Sequence, residues 1–186
     1  MTEPTTVDDL FALYESRGSQ HYGEGITQID HALQCAALAK ADGANHTLMV
    51  AALFHDVGHL AMDVQDDGEY EMSRDDDRHE SIGARILAPI FGPRVAQPVA
   101  LHVIAKRWLC SREPEYRRRL SSASQATLIA QGGILSDEEC ERFEAHPGFN
   151  DAVALRTWDD AGKVEGLAVG AFRDWEPIVR ELAALR

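Results

Sequence analysis

The stretch that decides the fold is AALFHDVGH at 51–59, in which an apolar run ends in an adjacent histidine and aspartate. The run at 48–54 is typical of a buried helix, and Gly58 predicts that this helix ends or bends just after the pair. Neighbouring side chains on a helix diverge by about 100°, so His55 and Asp56 share a target only where the helix ends. The pair indicates either a metal site, or a buried histidine capping a helix with Asp56 accepting from a backbone N–H.

Composition excludes several classes of protein. The chain has 186 residues, 45% hydrophobic and 26% charged, which fits one globular domain with a sizeable core. A formal net charge of −13 argues against a nucleic-acid partner, which needs a basic surface. No apolar run approaches the roughly 18 residues of a membrane helix, and the polar, acidic residues 1–9 are unlike a signal peptide. Three cysteines, far apart and outside CxxC pairs, predict a reduced, cytoplasmic protein.

Helical periodicity runs through almost the whole chain, with glycine, proline or acidic stretches between the segments. The expected helices are 7–17, 27–42, 44–57, 78–87, 95–109, 124–131, a segment that starts at the capping box Ser136–Glu139, 150–158 and 169–185, with 113–122 a short helix or a turn. The acidic run at 62–77 is expected to be a solvated loop, and no alternating pattern is long enough for a strand. We therefore predict an all-α single domain over 1–186, a bundle of seven to nine helices. Its core at about 20–163 would hold the functional site, and the amphipathic last helix, about 169–185, would pack against it.

Six residues with metal-ligating side chains lie one to a helix or helix end, apart from the adjacent pair. They are His31, His55, Asp56, His79, His102 and Asp159. Helical bundles build metal sites in this way, with ligands from separate helices facing one interior. Four imidazoles and two carboxylates are too many for one tetrahedral zinc, and they suit two octahedral ions with Asp56 as the bridge. Mixed imidazole and carboxylate ligation indicates iron or manganese before calcium or magnesium.

The six residues and several further stretches resemble a known family. The stretches are YGE at 22–24, QIDHALQC at 28–35, AKRWLC at 105–110, 127–133 and LRTWDDAGK at 155–163. The chain looks like the HD-domain superfamily of metal-dependent phosphohydrolases, and in particular its oxygenase branch. That branch includes myo-inositol oxygenase, 2-amino-1-hydroxyethylphosphonate dioxygenase and the related enzyme for the N-trimethylated substrate. The resemblance implies two iron ions in a mixed-valence Fe(II)/Fe(III) state and O2 as co-substrate.

Around the metal site, the resemblance implies a set of substrate contacts. Phosphonate or C1-hydroxyl contacts are implied for Lys106, Ser124, Thr127, Gln131 and Arg156. Two of these lie one helical turn from a candidate ligand, Lys106 from His102 and Arg156 from Asp159. Taken alone, the positions 124, 127 and 131 are also typical of an exposed helix face.

The glycine-containing loop at 20–25 is implied to meet the other end of the substrate. Glu24 matches the family residue that contacts the substrate's ammonium, and Tyr22 is a candidate to cap one iron before substrate enters. Here the tyrosine lies two residues before the glutamate, where the family has three, and His21 occupies the aligned position. His59, four residues after His55, is expected one helical turn away, where it would orient a ligand or the bridge.

These features together predict an enzyme. The resemblance implies the reaction: O2-dependent cleavage of the C–P bond of a 1-hydroxy-2-(trimethylammonio or amino)ethylphosphonate, which releases phosphate with glycine betaine or glycine. The only expected partner is this small-molecule hydroxyphosphonate. The alternative is a metal-dependent phosphohydrolase of a small phosphate ester, with a metal-bound hydroxide as nucleophile.

Overall fold

The computed structural model describes residues 3–23, 25–62 and 78–186. Its elements in chain order are α1 (Val7–Arg17), β1 (His21–Gly23), β2 (Ile26–Thr27), α2 (Gln28–Ala41), α3 (His46–Phe54), α4 (Val57–Ala61), α5 (His79–Phe91), α6 (Pro93–Arg112), α7 (Pro114–Arg119), α8 (Ser122–Ala130), α9 (Asp137–Glu144), α10 (Phe149–Ala161), a 3-10 turn (Phe172–Trp175) and α11 (Glu176–Ala184). The all-α prediction is confirmed, although eleven α-helices over the described ranges exceed the expected seven to nine. Apart from Met62, the expected acidic loop lies outside the described residues.

The expected helix at 44–57 is in fact two helices. α3 ends at Phe54 and α4 begins at Val57, because Asp56 between them has φ −97° and ψ 13°, outside the helical region. A second difference lies at 78–87, where α5 continues to Phe91. It ends there because Gly92, at φ 81°, takes a conformation that favours glycine, and Pro93 then starts α6.

A two-stranded pairing near the N-terminus was not expected from the sequence. β1 and β2 run antiparallel, with His21 opposite Thr27 and Gly23 opposite Ile26. Strands of three and two residues are too short to show an alternating pattern, and the pairing becomes apparent only in three dimensions. It leads directly into α2, whose first turn is capped by the Thr27 side chain accepting from the Asp30 amide.

The packing of α5 on α6, of α6 on α10, and of α2 on both α3 and α10 surrounds the interior of the bundle. At one end of this core, Phe172 stacks on Tyr14 with ring centroids 5.0 Å apart and lies 4.9 Å from the ring of Phe11. Burying such rings stabilises the fold by about 1.5–3 kcal/mol each. Residues of the C-terminal segment therefore pack on the bundle core, and its helical part begins at the 3-10 turn and not at 169.

Candidate metal centre

The break between α3 and α4 brings His55 and Asp56 to one target. His55 follows the last residue of α3 and still has helical angles, and Asp56 turns the chain before α4 begins. Gly58 in α4 then lies against the backbone that opens α5, because a Cβ there would be 2.0 Å from the carbonyl oxygen of His79. Only glycine permits this approach, which places His79 beside Asp56.

Four histidines form two pairs on either side of Asp56. The Nε2 atoms of His31 and His55 are 3.2 Å apart, and those of His79 and His102 are 3.1 Å apart. The Asp56 carboxylate lies between the pairs. Its Oδ2 is 3.5 and 3.4 Å from the first pair, and its Oδ1 is 3.6 and 3.8 Å from the second.

Asp159, from α10, joins the first pair. Its Oδ1 lies 3.4 Å from Nε2 of His31 and 4.0 Å from Nε2 of His55. All six candidate ligands are buried, with His31 and His55 fully so. The structure thus brings together in one place the residues that the sequence spread over α2, the α3–α4 break, α5, α6 and α10.

The outer ring nitrogens show that this cluster fits metal ions. Nδ1 lies 2.8 Å from the Gly162 carbonyl in His31, 2.9 Å from the Ala52 carbonyl in His55 and 2.7 Å from the Val99 carbonyl in His102. An imidazole that donates from Nδ1 carries a lone pair on Nε2. Where both rings are neutral, the Nε2 atoms of His31 and His55 face each other as two acceptors, which a bound cation satisfies and a hydrogen bond between the rings does not.

The protonation states of the candidate ligands also bear on metal binding. Burial opposes ionisation of Asp56, yet the neighbouring His55 and His31 hold its pKa well below the usual range. Burial lowers the pKa of His55, and burial together with His79 lowers that of His102 well below its usual range. These are the protonation states that ligate a metal. His31 differs, because burial opposes its charge but Cys35, Asp159 and Asp56 raise its pKa well above the usual range, so a metal ion that binds there displaces a proton from its ring. In addition, Oδ1 of Asp159 is buried and makes no hydrogen bond within the described part of the chain.

Tyr22 and His59 lie against this centre. The Tyr22 ring stacks on His31 with centroids 3.9 Å apart, while His21 beside it is exposed on β1. His59, on α4, stacks on His79 with centroids also 3.9 Å apart. The tyrosine, and not the aligned histidine, is thus the loop side chain that touches a candidate ligand. Glu24 lies outside the described residues.

The expected phosphonate contacts divide into two groups. Lys106 is buried on α6, and its ammonium donates to the Thr127 hydroxyl at 2.9 Å, which joins α6 to α8. Burial, reinforced by Arg156, lowers the pKa of Lys106 to about 7. Ser124 is buried on α8, and Gln131 is half-buried with a side-chain oxygen that makes no hydrogen bond to any described residue. These positions are therefore not a fully exposed helix face.

Arg156 forms the other group, and its surroundings differ from the sequence expectation. Its guanidinium donates to Oδ2 of Asp159 at 2.6 Å and to both carboxylate oxygens of Asp160. Much of its donor capacity is thus used by carboxylates of its own helix. Sequence reasoning assigned no role to Asp160, nor to Lys163, whose ammonium lies 3.4 Å from Oδ1 of Asp159 and 5.5 Å from the Tyr22 ring centroid. The signal available was their spacing in the chain, one and four residues after a candidate ligand.

Comparison with known proteins agrees with this geometry. The sequence model of the HD domain matches residues 29–130. The chain belongs to the HD-domain family. The match includes the four histidines and Asp56 but stops short of Asp159, so the second carboxylate comes from a part of the chain outside the matched residues.

Relatives within the HD-domain family extend the likeness to nearly the whole chain. A hydroxymethylphosphonate dioxygenase of Gimesia maris is 44% identical over 91% of this chain and 84% of its own. A glycine-betaine-forming [1-hydroxy-2-(trimethylamino)ethyl]phosphonate dioxygenase of Leisingera caerulea is 35% identical over 95% of this chain and 89% of its own. An uncharacterised protein of Acanthamoeba polyphaga mimivirus is 37% identical over 85% and 73%. The resemblance predicted from the motifs is confirmed.

None of the helices in the described ranges has the length and apolar character needed to cross a membrane.

Proposed function

We propose that this protein is a dioxygenase that cleaves the C–P bond of a 1-hydroxyphosphonate at a mixed-valence pair of iron ions. The observation that carries the proposal is the pairing of imidazoles across Asp56, with the buried cations Lys106 and Arg156 on neighbouring faces of α6 and α10. The names of two relatives that cover most of the chain support the reaction class. The proposed iron ligands are His31, His55, Asp56, His79, His102 and Asp159.

The chain's own residues would bind and orient the substrate. In a protein of net charge −13, a phosphonate needs local cations. Lys106 and Arg156 would supply them, Arg156 with a planar fork and Lys106 as a point charge. Hydroxyl and amide groups of Ser124, Thr127 and Gln131 would complete the phosphonate contacts. Iron, when bound, supplies the activation of O2 and the electron transfer that side chains cannot.

Two residues would act around the substrate's carbon. Tyr22, stacked on His31, would shield that side of the centre until substrate enters. His59, stacked on His79, would hold that ligand's ring in place and accept or return a proton at the substrate's C1 hydroxyl.

The part of the substrate that the described residues address is the hydroxyphosphonate head. Three candidate substrates share it: the 2-amino and 2-trimethylammonio ethylphosphonates expected from the sequence, and hydroxymethylphosphonate, which the Gimesia maris relative is named for. Atoms balance in the same way for each. One O2 adds an oxygen to C1 and one to phosphorus as the C–P bond breaks, giving phosphate with glycine, glycine betaine or formate respectively.

We further propose that residues 1–186 act as one HD-type domain, with the metal core at about 20–163 and a C-terminal packing helix at about 169–185. Packing of Phe172 and Val179 into the core that α1 and α3 share supports this. The three cysteines are buried and free, which supports a reducing, cytoplasmic environment. The partner would be the small phosphonate alone.

The test is phosphate release from the iron-loaded chain with each of the three hydroxyphosphonates, in the presence and absence of O2. Release that requires O2 is expected. Release without O2, or only from phosphate esters, would establish the hydrolase alternative in its place. A mixed-valence electron-spin signal that shifts when substrate is added is the expected spectroscopic counterpart, and a centre that stays silent in every redox state contradicts the iron assignment.

Lys106→Met tests the anion site while keeping the aliphatic volume of the side chain. We expect the substrate dissociation constant to rise about tenfold or more with iron content unchanged. Lys40→Met is the matched control, because Lys40 is exposed near the C-terminal end of α2, nine residues or about 13 Å along the helix from His31. If iron is lost together with substrate binding, Lys106 has a structural role and the assignment is wrong.

A further inference from the structure

The surroundings of Arg156 contain a second layer of contacts that reaches α7. Tyr116 is buried on α7, and its hydroxyl accepts a hydrogen bond from Nε of Arg156 at 3.1 Å. The same hydroxyl donates to Oδ2 of Asp160, and Nε of Arg156 also donates to that oxygen at 3.0 Å. Tyr116 and Asp160 thus meet at one edge of the guanidinium.

The geometry divides the guanidinium into two sides. Asp160 takes Nε and Nη2 as a two-point pair, which fixes the plane of the group as well as its position. The remaining nitrogen, Nη1, points to Oδ2 of Asp159 at 2.6 Å. The outer side is therefore held by a carboxylate that is not a candidate metal ligand, while the inner side faces the metal centre.

This division matters when the centre is loaded. Asp159 then shares its charge with a cation and attracts the guanidinium less, since a metal ion is the largest local charge in such a site. Asp160 keeps its full charge, and Tyr116 keeps Asp160 from turning away from Arg156. The Tyr116 hydroxyl joins Asp160 on α10 to a separate helix, α7.

We propose that Tyr116 and Asp160 are positioning residues that hold Arg156 so that Nη1 is presented to the phosphonate. This inference rests on the proposed function and deepens it, since it assigns the determinants of anion affinity to residues that touch neither substrate nor metal. Tyr116 also packs against Leu109, Leu120 and Leu128. A purely structural role through these apolar contacts is the competing explanation.

Tyr116→Phe separates the two explanations, because it keeps the ring and removes only the hydroxyl. In the iron-loaded full chain, we expect KM and the dissociation constant for hydroxyphosphonate to rise about tenfold, the loss of one hydrogen bond to a charged group. The expected change in kcat is less than about twofold, because no reacting atom is touched. Iron content and the electron-spin signal of the substrate-free centre should stay as in the wild type.

Asp160→Asn and a matched control complete the design. The asparagine keeps an acceptor oxygen but loses the charge, and we expect the same direction of change. Because both residues act through Arg156, the variant with both substitutions should raise KM by less than the product of the two single fold-increases. Tyr14→Phe is the control: it removes a buried hydroxyl that donates to the Leu53 carbonyl at 3.3 Å. It should lower stability and leave KM unchanged.

Failure of this inference can be told apart from failure of the proposed dioxygenase function. If the wild type releases no phosphate from any hydroxyphosphonate, the proposed function is wrong, and binding of inorganic phosphate to the iron-loaded chain, measured by calorimetry, still tests this inference. Weaker phosphate binding in Tyr116→Phe but not in Tyr14→Phe supports it. Equal affinity in the wild type and Tyr116→Phe, for phosphate or for substrate, overturns it, as does a crystal structure of Tyr116→Phe with Arg156 in its original place.

Discussion

Replacing Gly162 by alanine should damage both the fold and the metal centre, for a reason that the geometry specifies. Gly162 follows α10, and a Cβ there would lie 2.6 Å from Sγ of Cys35 on α2, with the backbone oxygen of Trp158 at 3.0 Å and the backbone nitrogen of Cys35 at 3.1 Å as further tight contacts. Its carbonyl oxygen accepts the Nδ1 hydrogen bond of His31 at 2.8 Å. The backbone itself tolerates alanine, since φ is −81°. The loss of stability must therefore come from the collision of the new Cβ with its neighbours and from the resulting displacement of the carbonyl that His31 contacts.

The magnitude follows from two contributions. Overpacking a fully buried site costs about 1–3 kcal/mol, and Cys35 is 0% exposed. If the chain moves away from α2, the bond from His31 to the Gly162 carbonyl lengthens, which costs about a further 1 kcal/mol. A loss of about 2–4 kcal/mol is a large part of the 5–15 kcal/mol typical of a domain, and it lowers Tm by roughly 4–16 °C for a chain of this length.

The assay is urea denaturation of the iron-free chain together with a titration of iron binding. We expect Gly162→Ala to lower the free energy of unfolding and to weaken iron binding, because the orientation of the His31 ring is no longer fixed. Cys35→Ala removes the colliding sulfur. The double variant, Gly162→Ala with Cys35→Ala, should lose less free energy of unfolding than the sum of the two single losses, by about 1 kcal/mol or more.

Three results would refute parts of this reasoning. If Gly162→Ala is as stable as the wild type, the close approach of Gly162 and Cys35 does not occur in solution. If the double variant is simply additive, the Cys35 sulfur is not the group that the new Cβ strikes, and the backbone contacts carry the cost. If stability falls while iron affinity is unchanged, the Gly162 carbonyl does not orient His31. Cys35→Ala alone serves as the control for cavity formation, with an expected cost of about 1 kcal/mol.

Three further predictions concern separate parts of the molecule. Gly58→Ala places a Cβ 2.0 Å from the backbone oxygen of His79, which cannot swing aside. The free energy of unfolding should therefore fall by about 3 kcal/mol or more, and metal analysis should find fewer than two iron ions bound per chain. Lys106, with a pKa of about 7, is charged below that pH and neutral above it, whereas an arginine stays charged throughout. The substrate dissociation constant of the wild type, divided by that of Lys106→Arg, should therefore rise between pH 6 and pH 8. A ratio that stays constant contradicts the role of Lys106 as a titrating cation. Thr27→Ala removes the cap of α2 and should cost about 1 kcal/mol in urea denaturation, with Thr27→Ser restoring most of it.

The fold was largely predictable because helix formation is local. Helical spacing of apolar residues located most of the helices within a few residues of their observed bounds. The misses have physical causes. The break between α3 and α4 falls at the His55–Asp56 pair, where the apolar run ends and Gly58 is the local signal, two residues after the break itself. The pairing of β1 with β2 depends on a turn and two very short strands, which leave no periodic pattern.

The candidate ligands were also predictable, because their types and spacing are unusual together. Four histidines and two aspartates at one per helix suit a bundle interior, and the structure places all six there. Arg156 was expected to face the substrate, and its spacing from Asp159 on α10 was correct. That Asp160 takes two of its nitrogens was not predictable, since an acidic residue at that spacing is equally common on an exposed face.

The sequence by itself determined an all-helical chain with side chains that could hold metal ions, because periodicity and side-chain chemistry are properties of short stretches. Only the tertiary structure decided what surrounds the histidine–aspartate pair. The carbonyl of Gly162 meets His31 from 131 residues away, Gly58 lets α5 approach, and Tyr116 reaches Arg156 from α7. These contacts join residues far apart in the chain, and no local pattern encodes a distance between separate helices.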